Sequence, residues 1–189
     1  MSLDYLINLF AYKIYKEKIL SHSDIRKMRY GMTVISHEMI KIILLFISFK
    51  LIAYLDLFLF SFFILMSIRT FSGGLHFESS LICFIFSFAF FLLTVVILPN
   101  LFPVSFYPGL IIGLGGVLIL SLNSPRPSAL RPIINNKRRQ ILKFLSFLSS
   151  LIWLVILLIF IKNPLFFACG IWTICLQAIQ LLLGKEEKI

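Results

Sequence analysis

Residues 69 to 83 read Arg-Thr-Phe-Ser-Gly-Gly-Leu-His-Phe-Glu-Ser-Ser-Leu-Ile-Cys, and this short stretch collects a guanidinium, an imidazole, a carboxylate and a thiol around a glycine pair. A thiol attacks a carbonyl only as its thiolate, and an adjacent imidazole is the usual base that makes one. His76 and Cys83 are therefore the first pair to weigh. On one unbroken helix their seven-residue spacing places them on one face but about 10 Å apart along the axis, too far to share a proton. A working pair needs Gly73 to Glu78 to be non-helical, so that His76 folds back over the start of the helix carrying Cys83. Gly73 and Gly74 accept backbone angles closed to other residues and allow such a bend. Ser79 or Ser80 could cap the following helix, and if Ser80 does, Cys83 falls in its first turn, where free N–H groups and the helix dipole favour a thiolate. On spacing alone the plainer reading, an interfacial histidine and a small apolar filler, has the better case.

Other chemistries fit less well. Glu78 lies two residues from His76 and could orient it, and Glu38 is a second choice, although Glu38 and Lys41 are also spaced as an intrahelical ion pair. His37-Glu38 opens the zinc-protease pattern His-Glu-x-x-His, but Lys41 stands where the second histidine belongs, so no metal or other cofactor is expected. Asp56 is the sole Asp in a prospective span, whereas an aspartyl intramembrane protease needs two. Cys169 and Cys175 read as packing residues of the last apolar run.

The elements that position these groups follow from composition. Of 189 residues, 60% are hydrophobic and 14% charged, which excludes an ordinary water-soluble domain. At roughly 20 residues per span there is no room for a separate soluble domain, so 1–189 reads as one membrane-embedded domain, all-α and polytopic. Leu3, Leu6, Ile7, Phe10 and Ile14 recur at helical spacing, predicting an amphipathic helix in a cytoplasmic or interfacial segment, 1–30. Ser23 or Asp24 then offers an N-cap for a helix beginning near Ile25. Apolar runs from about Thr33 and from Leu51 to Ile68 predict a helical hairpin. Between Glu78 and Arg126 no residue is charged, and Pro99, Pro103 and Pro108 divide this stretch into spans near 81–98 and 109–123. Runs from Phe144 to Ile161 and Asn163 to Gly184 bring the number of spans to six. Lys and Arg collect in short cytoplasmic loops. With both termini inside, the 69–80 and 124–143 loops are cytoplasmic and only Lys50 and Lys162 lie outside. That rule also accounts for the excess of 18 Lys and Arg over 8 Asp and Glu, so no nucleic-acid partner is expected.

Arg69, Gly74, His76, Ser79, Ser80 and Cys83 resemble, in order and spacing, the motif of the accessory gene regulator protein B family of membrane cysteine endopeptidases. Arg29-Tyr30-Gly31-Met32 with Lys41, and Ser124-Pro125 with Arg131-Pro132-Ile133, are similar to two further stretches of that family, and the resemblance covers essentially the whole chain. Thr33 stands where the family commonly has Gln or Glu, and Arg131 where Lys is common. The resemblance implies a multi-pass bacterial plasma-membrane enzyme with Cys83 as nucleophile and His76 as general base. It would remove the C-terminal tail of a small amphipathic propeptide and pass the acyl group to a peptide thiol or hydroxyl, giving a thiolactone or lactone for quorum sensing. Arg69, Gly73, Gly74, Glu78, Ser80 and Glu38 would position the reacting groups, and Arg131, Lys137 and Arg138 would meet an acidic tail. The non-enzymatic alternative is a small permease or peptide-export component, with Arg69, His76 and Asp56 lining a path. Besides the lipid bilayer, a second copy of the chain is an expected partner, because Gly109, Gly113, Gly115 and Gly116 put small residues on one span.

Overall fold

The computed structural model describes residues 3–16, 21–74, 79–126 and 135–183. It is all-α, and six of its helices are long and apolar enough to cross a membrane. The helices are α1 (Leu3–Lys16), α2 (His22–Leu51), α3 (Leu55–Ser72), α4 (Ser80–Phe91), α5 (Leu98–Leu101), α6 (Phe106–Asn123), α7 (Asn136–Phe160) and α8 (Pro164–Leu183). Two compact units divide the chain, one running to Ser48 and one from Phe49 onward.

In the first unit, α1 buries Ile7 and leaves Phe10 exposed. The cap of α2 falls earlier than Ser23 or Asp24. Ser21 Oγ accepts from the Asp24 N–H at 3.3 Å and donates to Asp24 Oδ2 at 2.6 Å, so the helix begins at His22. The Asp24 carboxylate accepts from the Ser21 hydroxyl and so holds it where it caps the Asp24 N–H, which fixes the helix start at His22. Glu38 and Lys41 form the ion pair their spacing suggested.

The second unit packs α3, α6, α7 and α8 around a core that includes Ile64, Ile68, Leu120, Leu157, Ile171 and Ile174. Its helices approach closely because the contact positions are small. A side chain at Gly109 would strike Phe167, one at Gly113 would strike Leu154, and one at Gly116 would meet Ile174. These three glycines therefore serve packing within the chain, while Gly115 faces open space. Hydroxyls join α3 to its neighbours. Ser61 bonds Thr173 at 2.7 Å and Thr94 at 3.3 Å, and the Trp153 indole donates to Ser67 Oγ. Without water to compete, close packing and such bonds are what hold spans together.

Three further boundaries differ from expectation. Pro99 does not end its span near 98: the helix continues through it to Leu101. Proline removes an N–H and crowds the carbonyl one turn back. Here Leu92–Ile97 widens into a π turn, and the Asn100 side chain donates to Val96 O at 2.6 Å, so the backbone near the proline is satisfied inside the span. Pro108 likewise sits in the first turn of α6, where a missing N–H costs nothing. The fifth span is longer than its apolar run, because the basic stretch from Asn136 is already helical, with Asn135 Oδ1 accepting from the Lys137 N–H at 2.9 Å.

Candidate active site

The motif-bearing segment joins α3 to α4. α3 ends at Ser72, where the Gly73 N–H caps Arg69 O at 2.9 Å, and Gly73 turns the chain with φ of +76°. Gly73 is required by its positive φ and a close backbone approach, whereas Gly74 meets only a flexible side chain. A Cβ on Gly73 would lie 2.6 Å from Arg126 O, and one on Gly74 would lie 2.8 Å from the Arg69 guanidinium Nε. Arg69 therefore lies across the second glycine, next to the turn rather than along the length of α3. Asp56 stands in the first turn of α3. It is separated from Arg69 by about 20 Å of helix axis, so the two do not line one constriction.

α4 starts at Ser80, and Ser79 holds the cap position without a side-chain cap bond. Of the two serines offered as caps, Ser79 takes the position and Ser80 is the first helical residue. Cys83 N–H donates to Ser79 O at 3.0 Å, making it the first intrahelical donor rather than one of the free ones. Its half-buried thiol thus closes the first turn of α4, still within reach of the positive end of the dipole. Ser80 itself is exposed. His76 and Glu78, between Gly74 and Ser79, lie outside the described residues, as does Arg131. Glu38 belongs to the first unit, where it pairs with Lys41. Lys137 and Arg138 are exposed on the first turn of α7.

Three groups that the sequence reading did not single out tie this turn in place. Gln177 of α8 is fully buried, and its amide donates to Ser72 Oγ at 3.2 Å and to Gly73 O at 3.0 Å. The Arg126 N–H donates to Ser72 O at 2.9 Å. The 69–80 and 124–143 loops, far apart in sequence, therefore meet at the Ser72-Gly73 peptide, with the final span beneath them. A polar residue inside an apolar run was the available signal for Gln177, since such residues in spans are costly and usually engaged. Nothing local marks Ser72 or Arg126, whose bonds depend on the tertiary arrangement.

Six apolar helices, with a Gly-Gly turn and a thiol-bearing helix start in the second unit, define a multi-pass membrane protein. The profile of the accessory gene regulator B family matches residues 7–181. An AgrB-like protein of Clostridium beijerinckii is 31% identical over 186 residues, covering 96% of this chain and 89% of the relative. The accessory gene regulator protein B of Staphylococcus intermedius is 28% identical over 183 residues, covering 93% and 92% respectively. No solved structure matches. The chain belongs to the accessory gene regulator B family, which supports a role in quorum sensing.

Proposed function

We propose that the chain is a membrane cysteine endopeptidase that trims an autoinducer propeptide. The observation that carries this reading is the glycine turn at the end of α3, pinned by Gln177 and Arg126, with Cys83 in the first turn of the next helix, α4. In the proposed reaction the Cys83 thiolate attacks the scissile carbonyl. The C–N bond breaks, His76 protonates the departing amine, and a thioester links the propeptide to the enzyme. A thiol or hydroxyl of the same peptide then attacks the thioester, closing the ring and returning Cys83 as a thiol. Half-burial of Cys83 at a membrane boundary favours this intramolecular attack over hydrolysis. Arg131, Lys137 and Arg138 receive the acidic tail, and the loops carrying these groups face the cytoplasm.

Co-expression of wild type, Cys83→Ala and His76→Ala with the neighbouring small amphipathic propeptide, read by mass spectrometry of the peptide, tests the chemistry. Both variants are expected at normal membrane levels with no cleaved product. Cleavage that survives Cys83→Ala would refute the reading and favour a permease. Tag accessibility in sealed vesicles tests the orientation: protection of a tag in the 124–143 loop from the cytoplasmic side would refute it.

A further inference from the structure

A cavity of about 440 Å³ opens between the end of α6 and the first two turns of α7. Its described lining includes Asn123, Ser124, Arg126, Arg139, Gln140 and Lys143, so three cations and no acid surround it. Two of its polar groups are buried without a partner among the described residues: Ser124 Oγ, on a residue only 5% exposed, and Arg126 Nε. An orphaned buried hydroxyl and guanidinium N–H each cost free energy unless a ligand completes them. Arg139 and Lys143, four apart, share one face of α7, while Lys137 and Arg138 lie off it. Cations in a helix's first turns oppose its dipole. Helix stability therefore does not explain this cluster, and an anion held there would be favoured by both charge and dipole.

We propose that this cavity binds the phosphate of an anionic phospholipid headgroup. Its position decides between a lipid and a soluble anion. It lies at the end of two spans, the level at which headgroups sit, and basic pockets between spans suit such headgroups. Large apolar side chains stand exposed beside it: Leu122 is 72% exposed, Phe144 62% and Ile141 58%. A free phosphate has no use for an apolar margin, whereas acyl chains require one. In the bound state Ser124 Oγ donates to a phosphate oxygen, Arg126 Nε donates to a second, and Arg139 and Lys143 supply the remaining charge. This site does not depend on the peptidase reading.

The full-length chain, purified in a neutral detergent, is titrated with phosphatidylglycerol and separately with phosphatidylcholine, and retained lipid is counted by native mass spectrometry. Phosphatidylglycerol is expected to remain bound where phosphatidylcholine does not. Arg139→Gln combined with Lys143→Gln should weaken it by roughly 25-fold, about fivefold per charge. The charge-retaining pair Arg139→Lys and Lys143→Arg should bind as wild type, which separates lost charge from lost fold. Equal retention of the two lipids, or unchanged binding by the neutralised variant, overturns the proposal. Displacement of phosphatidylglycerol by equimolar inorganic phosphate assigns the site to a soluble anion, and displacement by an acidic peptide assigns it to the substrate tail; either result also overturns it.

Discussion

α4 and α8 are both apolar spans of the same unit, yet they are used in opposite ways. The run beginning with α4 is the most apolar of the six candidate spans, and within α4 only Phe90 and Phe91 are buried. α8 carries Thr173, Gln177 and Gln180 and is the most enclosed. In lipid, apolar side chains gain little by turning inward, whereas polar groups must find partners and small residues allow close approach. The consequence for the site is a division of roles. α8 anchors the turn at Ser72 and Gly73 from below, while Cys83 rides on a helix start whose neighbours Leu81, Ile82 and Ile85 face outward.

Truncations that remove the same atoms from each helix test this contrast most strongly. Ile174→Ala, at a fully buried position of α8, should lower unfolding stability in detergent by about 2–4 kcal/mol. Ile85→Ala, at a 55% exposed position of α4, should change it by less than about 0.5 kcal/mol. Comparable losses would mean that α4 is packed by a partner, as a second copy of the chain would pack it.

A smaller effect is expected at the glycine turn. Gly73→Ala places a Cβ against Arg126 O and forces a positive φ, a strain of about 1–3 kcal/mol that should show as slower propeptide cleavage at normal membrane levels. Gly115→Ala, facing open space, should leave cleavage and stability unchanged. Smaller again is Gln177→Leu: losing two interior hydrogen bonds costs roughly 1 kcal/mol, and cleavage should fall about fivefold with little change in unfolding temperature. A fall in stability without a fall in cleavage would make Gln177 a packing residue only. The smallest change is expected from Asn100→Ala, which frees the Val96 carbonyl next to the π turn and should cost about 0.5 kcal/mol in the same unfolding assay.

Much of this was legible before folding. Uncharged runs with charged boundaries predicted the six spans, because lipid tolerates only helices whose backbone is internally bonded. Boundaries moved where side chains rescued the backbone: Ser21 began α2 early, and Asn100 carried a helix through Pro99. Hydropathy has no term for either rescue.

Composition and spacing by themselves determined that the chain is a six-span helical membrane protein, and marked Gly73, Gly74 and Cys83 as a turn followed by a thiol-bearing helix start. Only the tertiary structure decided that Arg126 and Gln177 hold that turn, and that Ser124, Arg126, Arg139 and Lys143 surround one cavity. The reason is physical: helix formation and membrane insertion depend on the run of residues along the chain, whereas hydrogen bonds and enclosed charges depend on which chain ends the packed spans bring together.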